Sequence, residues 1–156
     1  MDKEFQIILY GATGFTGKLC AEYLKNNYPE IRWAIAGRDK EKLENLKESL
    51  NLDCKIFVAN GDDKESVDNF VSRTEVVLST AGPFARYSTK VVEACVECKT
   101  HYTDITGENH WVKGLIDRFH DKAALDGTRI IPSCGYDSIP SDMGVFFSVT
   151  RSEKPV

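Results

Sequence analysis

Gln6-Ile7-Ile8-Leu9-Tyr10-Gly11-Ala12-Thr13-Gly14-Phe15-Thr16-Gly17-Lys18-Leu19 is the stretch that decides the fold. Residues 6–10 are a short apolar run, as a buried strand requires, and from Phe15 onward the apolar residues recur at helical spacing. Between strand and helix stand three glycines spaced G-x-x-G-x-x-G. Gly11 lets the chain turn sharply off the strand. Gly14 lets the backbone approach a ligand with no Cβ in the way. Gly17 lets the helix pack close to the sheet. The helix start then offers free N–H groups and a positive dipole end to an anion. Three glycines alone are weak evidence, because a turn can need them for structure only. At the first strand-to-helix turn of an alternating chain they point to a dinucleotide pyrophosphate. Gly11, Ala12, Thr13, Gly14, Phe15, Thr16 and Gly17 are therefore all candidate cofactor-binding residues.

Outward from this turn the pattern keeps alternating. Periodicity predicts strands over residues 6–10, 32–36, 55–59, 75–80, 100–105 and 129–133. It predicts helices over 15–26, 40–50, 63–72, 87–98 and 109–125, and the beginning of another over 141–149. Six strands joined by helices predict an α/β, Rossmann-type doubly wound parallel sheet with helices on both faces. The expected strand order is 3-2-1-4-5-6. There is no internal repeat or long linker, and the length of 156 residues fits one domain, expected over residues 1–150.

Strand two ends in Ala36-Gly37-Arg38. A domain selective for NAD usually carries an acidic residue at that place, about 20 residues after the turn, to bond the ribose 2′-hydroxyl. Here Gly37 leaves space and Arg38 offers a guanidinium suited to a 2′-phosphate, while Asp39 fits a helix N-cap better. NADP(H) is the expected cofactor over NAD(H). After strand three, Asp62 is a candidate for the adenine amine, with helix capping as the alternative for the Asp62-Asp63 pair. After strand four, Thr80, Ala81, Gly82 and Pro83 are expected to face the nicotinamide half, since ligands sit at the carboxyl ends of the strands.

Tyr102, Asp104, Glu108, Tyr136, Asp137 and Ser138 lie at the predicted carboxyl ends of strands five and six. Asp104, Glu108, Tyr136 and Asp137 are candidates for acid–base or substrate-binding work; helix capping competes with that reading. Short-chain dehydrogenase chemistry needs a lysine four residues after a catalytic tyrosine. No tyrosine here has one, and Tyr87 to Lys90 is spaced by three.

A formal net charge of -4 and a pI near 5.4 give no basic field for nucleic acid. No stretch approaches the ~20 apolar residues of a spanning helix, and the charged start does not read as a signal peptide, so a cytoplasmic protein is expected. Five cysteines without a secretory signal argue against a disulfide framework. The pair Cys95 and Cys98 falls inside a helix-like stretch with no cation beside it and no second pair for zinc. His101, His110 and His120 show no ligand spacing, so no metal site is expected.

The segments GATGFTGKL, AGRDKEKL, STAGPFARYSTKVVEAC, YTDITGE and CGYDSIPSD resemble the saccharopine dehydrogenase-like oxidoreductases. They are most similar to the branch with the trans-acting enoyl reductases and the animal saccharopine dehydrogenase-like proteins. The resemblance runs from about Phe5 to Val149. It implies NADPH-linked reduction of a double bond in a lipid-like, carbonyl-conjugated substrate rather than saccharopine chemistry. It also implies a second domain, of which residues 151–156 would be the start, and a fragment that is inactive alone. Association with a membrane or lipid-droplet surface, and an oligomer, are compatible with it. The competing expectation is a non-catalytic regulator that binds a dinucleotide.

Overall fold

The computed structural model describes residues 3–152. Six parallel strands form one sheet in the order β3-β2-β1-β4-β5-β6: β1 Phe5–Tyr10, β2 Trp33–Gly37, β3 Lys55–Val58, β4 Thr74–Ser79, β5 His101–Asp104 and β6 Ile130–Ile131. The intervening helices are α1 Phe15–Asn27, α2 Lys40–Ser49, α3 Lys64–Val71, α4 Phe84–Tyr87, α5 Thr89–Cys98, α6 Asn109–Asp126 and α7 Ile139–Arg151. This is the Rossmann-type architecture, with the expected strand order.

Alternation along the strands builds a core on each face of the sheet. Ile8, Tyr10, Ala34, Ala36, Phe57 and Val77 point to one side, where they meet Val67, Phe70 and Val71 of α3, Val91, Val92 and Cys95 of α5, and Trp111 and Leu115 of α6. Leu9 and Ile35 point to the other, against Ala21 of α1 and Leu43 and Leu46 of α2. Strands buried on both faces explain why β1 and β4 read as apolar runs.

Three local readings change. The helix expected over 87–98 begins at Thr89 as α5, and a separate four-residue helix, α4, precedes it across Ser88. The strand expected over 129–133 keeps only Ile130 and Ile131, because Pro132 has no N–H for the ladder and Ser133 takes a left-handed φ of 62°. The last helix begins at Ile139, earlier than expected, with a proline in its first turn where none of its own N–H bonds is lost. It runs through residue 150 to Arg151, so the predicted boundary there falls inside a helix. Residues 153–156 of the predicted second-domain start lie outside the described residues.

Candidate functional site

The chain leaves β3 on one side of β1 and returns as β4 on the other. That switch opens a crevice outside the carboxyl ends of β1 and β4. The register sets these ends level: Tyr10 pairs with Ala36 of β2 and with Ser79 of β4. The crevice is a cleft of about 180 Å³ lined by Tyr10, Gly11, Thr13, Gly14, Gly37, Arg38, Asn60, Thr80, Ala81, Gly82 and Tyr87. A larger apolar groove of about 330 Å³ runs between α6 and β6, and no predicted site residue lines it.

The glycine turn is held from beneath. Thr80 donates its N–H to the Tyr10 carbonyl at 2.8 Å and its hydroxyl to the Gly11 carbonyl at 3.1 Å. Gly11 has φ 86°, and a Cβ there would lie 2.7 Å from the Ala81 nitrogen. A Cβ on Gly17 would overlap the Gly11 carbonyl and lie 2.8 Å from the Ala12 backbone, so α1 packs against the turn without a spacer. Gly14 differs. The nearest atom to its imagined Cβ is the Gly11 oxygen at 3.4 Å, so nothing in the chain itself forbids a side chain at this place, which lines the cleft.

The charge arrangement at the helix starts also differs. Asp39 caps α2 by accepting from the Lys42 N–H at 3.1 Å, and Asp63 caps α3 by accepting from the Glu65 N–H at 3.2 Å. Each of those helices carries a glutamate in its first turn. Helix α1 has Gly14 at its N-cap, no side-chain cap and no acidic residue in its first turn. Its first N–H groups are open to an anion in the cleft.

Of the predicted cofactor-binding residues, the structure gathers Gly11, Thr13, Gly14, Gly37, Arg38, Thr80, Ala81 and Gly82 around the cleft. Ala12 is fully buried beneath the turn, Gly17 serves helix packing, and Phe15 is 85% exposed. Thr16, Pro83 and Asp62 also stand outside the lining. Asp63 takes the helix cap, and Asn60 supplies the polar group of that loop in the cleft. A Cβ on Gly37 would meet the Leu43 side chain at 3.6 Å, so the space this glycine leaves is toward α2. Arg38 is exposed, and among the described residues no carboxylate pairs with it.

Tyr10, Asn60 and Tyr87 were not expected in the site. Tyr10 is a core residue, stacked on Phe70 with centroids 5.4 Å apart, whose hydroxyl end reaches the Gly61 loop. Burial is the main reason its phenol is pushed above the usual range. Its place as the last residue of β1 was a signal; the other two arrive by tertiary folding.

The acidic candidates behave differently. Asp104 is 1% exposed. Its Oδ2 accepts from the Tyr102 hydroxyl at 2.8 Å, and its Oδ1 accepts from the N–H groups of Thr106 at 3.0 Å and Ser133 at 2.9 Å. Burial, with Asp104 next, holds the Tyr102 phenol well above its ordinary range. Glu108 accepts from the N–H of Phe84 at 2.7 Å and of Ala85 at 3.1 Å, so it closes the start of α4 from across the fold. Tyr136 is 91% exposed and Asp137 is exposed beside it; neither lines the cleft, and Ser138 makes no side-chain cap. Burial raises the Cys95 thiol well above its usual value and also raises that of half-buried Cys98.

Residues 7–131 match the family described as the saccharopine dehydrogenase NADP binding domain. The chain belongs to this family. Its cofactor is accordingly NADP(H), and the cleft fits that group: an open helix start, a glycine with room on the ligand side and an unpaired arginine beyond β2. The chain is 42% identical over 154 residues to the trans-acting enoyl reductase of Mycobacterium tuberculosis, covering 97% of this chain and 37% of that protein. It is 43% identical over 147 residues to the trans-acting enoyl reductase of Mycobacterium leprae, covering 92% and 35%. This NADP-binding domain thus spans little more than a third of the curated relatives' length. Its fold is similar to that of apo saccharopine dehydrogenase (L-Glu forming) from Saccharomyces cerevisiae, with a TM-score of 0.77 at 17% identity over 94% of this chain and 31% of that one. It is also similar to Citrobacter triphenylmethane reductase complexed with NADP(H), with a TM-score of 0.62 at 18% identity over 75% and 46%.

Proposed function

We propose that this chain is the cofactor-holding part of an NADP(H)-dependent reductase acting on an enoyl or other carbonyl-conjugated, lipid-like substrate. The observation that carries this reading is the 42% identity, across 97% of the chain, to the mycobacterial trans-acting enoyl reductase. Bound NADPH supplies a hydride for a conjugated double bond. The chain's own residues bind and orient. The glycine turn and the start of α1 hold the pyrophosphate, Arg38 holds the 2′-phosphate, and the loop from Thr80 to Pro83 faces the nicotinamide half.

Asp104 and Glu108 act as positioning residues. Asp104 ties the end of β5 to the segment after β6, and Glu108 ties the start of α6 to the start of α4. With both carboxylates engaged by N–H groups, neither is placed as the acid that completes the reduction. A lipid-like substrate fits a cytoplasmic enzyme working at a membrane or lipid-droplet surface.

The same engagement of both carboxylates favours a second reading, a dinucleotide-binding regulator with no catalysis. The full-length protein separates the two when NADPH consumption is followed with enoyl thioesters and with their saturated counterparts. Consumption that needs the double bond supports the reductase. A full-length protein that binds NADPH and consumes none with any enoyl substrate is the regulator.

A further inference from the structure

Tyr87, the last residue of α4, lines the cleft together with the glycine turn. Two guanidinium groups lie against its ring. The Arg38 carbon is 5.7 Å from the ring centroid and the Arg86 carbon 5.1 Å. Their separation cannot exceed the sum of those distances. Both arginines are exposed, and neither is paired with a carboxylate among the described residues. Arg73 and Arg118, by contrast, each have a glutamate within 4 Å. Two unpaired cations on one ring repel each other until an anion joins them.

Tyr87 is held in place by its backbone. A Cβ on Gly61 would overlap the Tyr87 carbonyl, so this glycine is what lets the β3–α3 loop reach the end of α4. Lys90 donates to the Asp62 carbonyl at 2.6 Å and ties α5 to the same loop. The Tyr87 N–H donates to the Pro83 carbonyl at 3.1 Å. The backbone that carries the ring is therefore anchored, and a guanidinium lying on the ring is partly pre-oriented before a ligand arrives.

We propose that Arg86 is a second specificity-determining residue, which shares the adenosine 2′-phosphate with Arg38 across the ring of Tyr87. The proposal rests on the reading of the cleft as the NADP(H) site. A phosphate monoester carries about -1.5 to -2 charges near neutral pH, so one guanidinium leaves it about half compensated. Two guanidiniums complete the compensation, and each can present two N–H donors to phosphate oxygens. A pyrophosphate seated on the glycine turn has its own donors at the start of α1 and does not need Arg86.

The test is calorimetric titration of this chain with adenosine 2′,5′-bisphosphate and with 5′-AMP, for the wild type, Arg86→Ala, Arg86→Lys and Arg38→Ala. Arg86 is exposed, so its substitutions leave the fold intact. Arg86→Ala is expected to weaken the bisphosphate about tenfold or more and leave 5′-AMP within about twofold. Arg86→Lys is expected to recover part of the loss, since it keeps the charge without the planar fork. Unchanged bisphosphate affinity in Arg86→Ala overturns the proposal, as does an equal loss for both ligands. If Arg38→Ala removes the preference and Arg86→Ala keeps it, the NADP(H) reading stands and this proposal alone falls. A folded wild type that binds neither ligand overturns both.

Discussion

Gly14 and Gly17 are three residues apart in one motif, and the atoms around them assign them different work. At Gly17 a Cβ would overlap the Gly11 carbonyl and press on Ala12, both backbone and both unable to rotate away. Gly17→Ala should therefore destabilise the fold by about 1–3 kcal/mol, as overpacking does, in urea unfolding. At Gly14 the nearest atom is 3.4 Å from the same imagined Cβ. Gly14→Ala should leave stability within about 1 kcal/mol and act instead on NADPH affinity. The opposite pattern would contradict this assignment. Both glycines and their separate roles were legible in the motif, but the backbone atoms that crowd Gly17 and leave Gly14 room were not, because they depend on which way each missing Cβ points. Cys54 makes a second single-site prediction. Burial pushes its thiol from 9.0 up to about 11. The unfolded chain loses that proton first, so the stability it contributes is full below pH 9 and is lost as pH rises toward 11. The buried Tyr102 and Cys95 act in the same direction. Thermal unfolding between those pH values should depend less steeply on pH in Cys54→Ala than in the wild type; an unchanged slope would remove Cys54 from the account.

Helix α4 has four residues, too few to be stable by its own hydrogen bonds. It exists because Glu108, more than twenty positions later, accepts from its first two N–H groups, and because Phe84 stacks on Trp111 at 6.2 Å. Neither contact has a local signature, which is why the sequence reads as one helix from Tyr87 onward. The strands and the longer helices were legible because their signals are periodic and local; Asp39 as the cap of α2 was legible for the same reason. Tyr87 and Asn60 were not, since their place in the cleft depends on loops meeting across the sheet. The YTDITGE segment read as capping in competition with catalysis, and the geometry gives its carboxylates tethering bonds. Glu108→Gln leaves one acceptor oxygen where two N–H groups now have one each. It should destabilise the protein by about 1–3 kcal/mol and weaken NADPH binding through the loop before α4. Asp104→Asn keeps an oxygen for the N–H groups of Thr106 and Ser133 but puts an amide nitrogen where Oδ2 accepts from the Tyr102 hydroxyl, so it should cost about 1 kcal/mol in urea unfolding. A Glu108→Gln protein of wild-type stability and affinity would show that α4 stands without this cap.

Across the whole molecule, the strand order places the one topological switch between β1 and β4, and the three segments most informative in the sequence converge there. The glycine turn follows β1, Arg38 follows β2 and Thr80 to Gly82 follow β4, with β1 at the centre of the three. The sequence pattern implied this convergence because right-handed crossovers leave few ways to connect such strands. Two cores, one on each face, then make the cleft a rim on a rigid sheet rather than a loop assembled by the ligand. No described helix is long and apolar enough to cross a membrane. What the sequence left open at this level was the role of each cleft residue toward the cofactor, and one measurement addresses it directly: calorimetric titration of the chain with NADPH and with NADH, repeated with Arg38→Ala. The account predicts that NADPH binds at least about tenfold more tightly than NADH and that the substitution sharply reduces the difference, through the loss of NADPH affinity alone. Equal binding of the two nucleotides by a folded wild-type chain, or a preference undiminished in Arg38→Ala, would contradict it.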